Sequence, residues 1–135
     1  MRFSNGKCTL CKENDENVEH LIIYCDHVKR IWHKMENVVK KILDKCLDVE
    51  FTRYNIMVGY LQDGFIFEVI NMILAITRWI IWKRRCVFKY DGRYVDINEL
   101  ERWIHQDVTE HIEVLLLIEN VKNKEILNSV KCKLI

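Results

Sequence analysis

Nine apolar residues, Val18, Leu21, Cys25, Val28, Trp32, Met35, Val39, Ile42 and Cys46, follow one another at steps of three and four without a miss. That is the rhythm of a helix with one continuous buried seam. Ile22, Ile31, Val38 and Leu43 lie beside the seam and widen it, so the pattern predicts a helix packed inside a globular core more than one strand of a coiled coil. Asn14-Asp15-Glu16-Asn17 offers turn and cap chemistry just ahead of it, and Leu47 to Glu50 ends it.

The rest of the chain continues the theme. None of the 135 residues is proline, against about one in twenty in ordinary chains, so helix interiors run uninterrupted. Thr52 is placed to cap a short helix through Val58, with Gly59 ending it in a left-handed conformation. Asp63-Gly64 turns into a stretch from Phe65 to about Phe88 that is apolar almost all round, relieved only by Glu68, Asn71, Arg78 and Arg85. A helix with that pattern belongs at the centre of a domain. Tyr90-Asp91-Gly92-Arg93 leads to a third long helix, opened by Asp96 and Glu99 at capping-box spacing and carried by Ile97, Leu100, Ile104, Val108, Ile112 and Leu115. Val121 to Val130 either extends that helix or forms a short one of its own. The expected fold is all-α, a single domain over residues 1–135 with three to five helices. Within it a metal-binding motif over 7–33 leads into the first helix, and 52–131 form the helical remainder.

Half of the residues are hydrophobic, enough at this length to build a core without disulfides. Cys46, Cys86 and Cys132 stand far apart in apolar surroundings and read as buried free thiols. The opening Met1 to Cys8 lacks the apolar run of a signal peptide, so the expected location is intracellular, nuclear or cytoplasmic. No membrane span is expected from Phe65 to Trp82, because Glu68, Asn71 and Arg78 interrupt it.

Cys8-Thr-Leu-Cys11 sits in a polar segment where apolar packing does not account for two cysteines. His20 and Cys25 complete the spacing Cys-x2-Cys-x8-His-x4-Cys. Zinc takes such ligands tetrahedrally, and a full shell of four protein ligands leaves no position for substrate, so the expected cofactor is a structural zinc ion with a knuckle-like loop around it. One geometric tension accompanies this reading: on an unbroken helix, residues five apart point about 140° away from each other, so the helix start must be distorted for His20 and Cys25 to share an ion. His27 and His33 are near enough in sequence to act as substitute ligands. The alternative is that Cys25 is a seam residue, His20 a solvent-facing histidine and the two N-terminal thiols unligated.

The net charge of +1 names no partner, but its distribution is uneven. Residues 51–90 carry six Lys/Arg against two acids, and residues 91–120 carry two against eight. Trp79 and Trp82 precede Lys83, Arg84 and Arg85, with Lys89 beyond. Such a cluster can meet phosphates of RNA or DNA, and Lys29, Arg30 and Lys34 on the first helix add candidates. The same residues also suit a solvated helix C-terminus, and tryptophans at helical spacing suit a core. Glycine-rich phosphate loops, nucleophile elbows and His-Glu-x-x-His signatures are all missing, so the chain is not expected to be an enzyme or to take a small-molecule substrate.

Cys8-x2-Cys11-x8-His20-Leu21-x3-Cys25 followed by Trp32 resembles the zinc-binding region at the C-terminal end of non-long-terminal-repeat retrotransposon reverse transcriptases. Val58-Gly59-Tyr60, Asn71-x-Ile73-Leu74, Arg78 and Trp82-Lys83-Arg84-Arg85 are similar to the helices that follow that motif, and together the pieces cover most of residues 7–95. The resemblance implies a non-catalytic accessory module that associates with RNA or DNA beside a polymerase whose catalytic parts this sequence lacks. The clean seam leaves a second expectation open, a helical module for protein interaction or self-association.

Overall fold

The computed structural model describes residues 6–43 and 51–134. Cys46 and the expected helix end at Leu47 to Glu50 lie outside the described residues, as do Met1 to Asn5. Among the described residues the chain is mainly helical, with one π-helical turn at His20–Tyr24 and five α-helices: α1 Asp26–Leu43, α2 Arg53–Val58, α3 Phe65–Asp91, α4 Ile97–Ile118 and α5 Val121–Lys133. The N-terminal loop closes on itself through one antiparallel bridge between Lys7 and Asp15.

Helix α3 is the axis of the domain. Val69, Ile70, Ile73, Leu74, Ile76, Thr77, Ile80 and Ile81 along it are buried, and α1, α2, α4, α5 and the π turn all pack on it. Its length and apolar composition would also suffice to cross a membrane; in this fold much of that apolar surface is covered by the other helices. Burial of Val28, Ile31, Trp32, Val39 and Ile42 on α1 and of Leu100, Ile104, Val108 and Ile112 on α4 completes the core. The two periodic stripes are therefore core faces.

The polar residues of α3 have a purpose that a stripe of solvent-facing side chains would not serve. Asn71 accepts from the Tyr60 amide at 2.7 Å and donates to the Tyr60 carbonyl at 2.9 Å, while Arg78 donates to the Ile56 carbonyl at 2.7 Å. They satisfy the backbone at the end of α2, where helical partners run out. Thr52 caps α2 in a reciprocal capping box with Asn55. Gly59 has φ +97° with ψ −162°, outside the left-handed helical region expected of it, and a Cβ there would come within 2.5 Å of Asn71 Oδ1. Close approach to Asn71 and positive φ together require glycine.

Asp96 caps α4 by accepting from the Glu99 amide at 2.8 Å. Only that half of the expected box forms, since the Glu99 carboxylate pairs with Arg93 instead. Glu119 is extended and Asn120 caps a fresh helix, so α5 is separate. Of the lone cysteines, Cys86 is half-buried and Cys132 is exposed. Cys132 thus departs from the expected buried thiol because it falls on the outer side of α5, whose inner side is held by Leu127 and Val130.

Candidate metal centre

The long seam does not belong to one helix. Asn17 starts a turn by accepting from the His20 amide through its side chain at 2.8 Å, and the chain then winds as a π turn in which the Cys25 amide reaches back five residues to the His20 carbonyl at 2.8 Å. Cys25 itself is extended, with φ −60° and ψ 130°, and α1 begins at the next residue. A π turn takes about one residue more than an α turn to close. His20 and Cys25 are thereby brought to one side, which removes the tension noted from sequence. Trp32 fixes the junction by donating its indole N–H to the Ile22 carbonyl at 2.6 Å.

Opposite this turn, the loop carries Cys8 and Cys11 around a tight bend. The Lys12 amide donates to the Cys8 carbonyl at 2.9 Å, Lys12 takes φ +60°, and the Leu10 amide points at Cys8 Sγ at 3.4 Å. The Cys8 amide to the Asn14 carbonyl, and the Glu16 amide to the Gly6 carbonyl, hold the two arms of the loop together at 2.8 and 3.1 Å.

The result is a convergence of four ligand atoms from Cys8, Cys11, His20 and Cys25, all within 4.8 Å of one another. Cys8 Sγ lies 3.9 Å from Cys25 Sγ, and Cys11 Sγ lies 3.3 Å from His20 Nε2. A tetrahedral zinc ion with ordinary bond lengths sets sulfur–sulfur edges near 3.8 Å and sulfur–nitrogen edges of roughly 3.6 Å. These two edges fall within a few tenths of an ångström of those values, while the set as a whole spans up to 4.8 Å, and 3.9 Å is far too long for a disulfide. These four residues can hold a metal ion. Cys8, Cys25 and His20 are buried and Cys11 is half-buried. His27 and His33 are exposed on α1 and stand outside the cluster.

The thiols interact strongly. Donation from the Cys25 thiol holds Cys8 down to about 4, and the same contact together with burial pushes Cys25 up. A divalent ion bound here would take the place of the thiol protons.

Behind the loop lies a feature that sequence reading misses. Glu16 is buried and accepts from Arg85 Nε at 2.7 Å, with Arg85 Nη2 at 2.5 Å from the same oxygen. Arg84 is buried too, donating from Nε to the Val95 carbonyl at 2.6 Å with its guanidinium over the Tyr94 ring. This corrects the expected phosphate-binding cluster: Arg84 and Arg85 are 3% and 2% exposed, so they face the core while Lys83 and Lys89 face solvent. The signal was present in the sequence, because Arg84 and Arg85 continue at steps of three and four from Ile80 and Ile81 along the buried face of α3.

The remaining basic candidates are exposed but dispersed. Lys83 lies over the Trp103 ring at 5.3 Å, and Lys29 pairs with Asp26 at 3.7 Å. Arg30 and Lys34 reach Glu101 of α4 at 3.9 and 2.6 Å. Glu101 and Trp103, two residues apart, point about 200° away from each other around α4. The candidates on α1 and those on α3 consequently flank α4 on different sides and do not merge into one surface.

No family model matches the chain, and no curated protein or solved structure is detectably similar to it. The likeness to reverse transcriptase tails rests on the motifs alone.

Proposed function

We propose that the chain is a non-catalytic, zinc-stabilised helical module. The observation that carries this reading is the convergence of the ligand atoms of Cys8, Cys11, His20 and Cys25 to within 4.8 Å of one another. Zinc suits the set best because three sulfurs and one imidazole favour a borderline-soft ion without geometric demands of its own. With all four positions taken by protein, the ion serves to pin the N-terminal loop and the π turn together against α3. Chelation tests this: metal removal is expected to release the loop and expose the buried thiols to alkylation, and thiols that react equally fast with and without metal would refute it.

Association with RNA or DNA is the accessory role that the motif resemblance favours. After the burial of Arg84 and Arg85, it depends on the exposed cations Lys83, Lys89, Lys29, Arg30 and Lys34. Titration of labelled RNA at several salt concentrations reads the number of phosphates met, since log K falls with log salt in proportion to it. A slope of zero would remove this role. Protein interaction is favoured by a separate observation: Val114, Leu117, Ile118 and Val121 are exposed together where α4 passes into α5, a grouping that soluble monomers seldom leave uncovered. Sedimentation of the chain at micromolar concentration, which would show a single monomer species if this surface does not self-associate, tests that reading.

A further inference from the structure

A cleft of about 840 Å³ opens between α1 and α4, and none of the four metal-ligand candidates lines it. Both helices pack on α3 and on α5 but scarcely on each other, which leaves a space between them. Its floor is made by Ile31, Ile73, Ile104 and Val108, each at 2% exposure or less, with the half-buried Met35 and Val38 above them. From one wall, Lys34 and Arg30 of α1 reach Glu101 of α4 at 2.6 and 3.9 Å, so an ion pair spans the cleft. The described chain resumes at Phe51, which lies against Trp32 and donates its amide to Glu36, on the flank of α1 turned away from the cleft.

The charges around this apolar interior are nearly all of one sign. Lys34, Lys41, Arg102 and His105 line the cleft from exposed positions, and Lys133 lines it from the end of α5. Glu101 is the one acid among the described lining residues, and it is taken up by Lys34 and Arg30. Lys41, Arg102 and Lys133 have no acidic partner among the described residues. An apolar interior beneath unpaired cations complements a molecule with a hydrocarbon body and an anionic end, and the volume falls within the about 300–1,000 Å³ of small-molecule sites. A helix with its side chains is about 10–12 Å across, too wide to lie between walls bridged at 2.6 Å; a single hydrocarbon chain can pass beside the bridge.

We propose that the cleft between α1 and α4 binds a single-chain amphipathic anion, a long-chain carboxylate, with its hydrocarbon chain against Met35, Val38 and Val108 and its carboxylate at Lys41, Arg102 and Lys133. The site shares no residue with the metal centre and does not depend on the zinc reading. The ligand is held without reaction. Its chain supplies affinity by leaving water, so binding strengthens with chain length, and the cations fix which end lies at the mouth.

The test titrates oleate, kept below its micelle concentration, into the full chain by calorimetry, with octanoate, oleyl alcohol and phosphatidylglycerol vesicles as comparisons. One oleate per chain is expected, with octanoate and oleyl alcohol both weaker. Lys41→Glu combined with Arg102→Glu is expected to weaken oleate by about tenfold or more, the worth of one charge-assisted contact. Val38→Trp, which fills the cleft from a half-buried position, is expected to abolish binding. Circular dichroism checks that the variants keep their helix, and if Val38→Trp does not fold, the charge variant decides alone. Absence of saturable oleate binding by the parent chain would overturn the proposal, as would oleyl alcohol binding as tightly as oleate or oleate binding undiminished in the charge variant. A chain that ignores monomeric oleate but binds the vesicles, or binds an amphipathic Leu/Glu helical peptide instead, would put a membrane or a protein partner at the cleft and overturn it too.

Discussion

Replacing Glu16 by alanine should cost more than any other single surface-loop substitution in this chain. Its carboxylate and the Arg85 guanidinium are 1% and 2% exposed at the side chain, and both Arg85 nitrogens in the contact address one Glu16 oxygen. Truncating one partner of such a pair leaves the other charge buried without its counter-charge, at about 3–5 kcal/mol. Set against a total stability of about 5–15 kcal/mol for a domain, that is a large fraction. With a urea dependence of roughly 2 kcal/mol per molar, the unfolding midpoint should fall by about 1.5–2.5 M. The assay is urea unfolding followed by helical circular dichroism, with free zinc held equal for both proteins so that metal linkage does not shift the comparison. Replacing the pair together, Glu16→Leu with Arg85→Met, should recover most of the loss, because it is the orphaned charge and not the missing bridge that costs. A midpoint for Glu16→Ala within about 0.3 M of the parent would refute the reasoning, since it would mean that Arg85 finds water or another partner at no expense.

Gly59→Ala should destabilise by about 1–3 kcal/mol, because positive φ and contact with Asn71 Oδ1 both penalise a Cβ; thermal unfolding reads the loss, and an unchanged midpoint contradicts it. Trp32→Phe keeps the ring but removes the donor to the Ile22 carbonyl, leaving that acceptor unmet at a cost of about 1–3 kcal/mol, and urea unfolding checks it against a null effect. Tyr60 lies between Phe51 and Phe67, and burial first, then the Glu36 carboxylate, pushes its hydroxyl above the ordinary value near 10. The folded chain therefore holds this proton more tightly than the unfolded chain, a contribution complete below pH 10 and lost as pH rises through the folded value. Tyr60→Phe should flatten that part of the alkaline stability profile, and a profile parallel to the parent's would count against the assignment.

Much of this architecture is legible in the residues because burial imposes a period. The stripes of α1 and α4 and the nearly unbroken apolar surface of α3 announce core faces, and Thr52, Asp96 and Asn120 mark helix starts through side chains that accept from the backbone three residues on. The Cys/His cluster is legible for the opposite reason, since Cys8 and Cys11 are apolar-preferring residues in a polar loop. What period cannot reveal is a break that preserves it. The π turn and the extended Cys25 keep the three-and-four spacing of the seam while changing the path of the chain, so the spacing predicts one helix where a π turn and α1 stand. Charge misleads in a related way. Lys83, Arg84, Arg85 and Lys89 read as one basic cluster along the chain, but a helix places neighbours about 100° apart, and the step from Lys83 to Arg84 passes from solvent into the core. Glu16 gave no sign of its burial because, in the run Asn14-Asp15-Glu16-Asn17, it looks like one more turn residue.

Zinc stoichiometry in protein purified without added metal tests the central claim most directly, measured on the parent chain and on single cysteine-to-serine variants. The account predicts one zinc per chain, lost in Cys8→Ser and Cys25→Ser and kept in Cys86→Ser and Cys132→Ser, whose cysteines stand outside the cluster. A folded parent chain without stoichiometric metal, or zinc that survives loss of Cys8 and Cys25 alike, would contradict it.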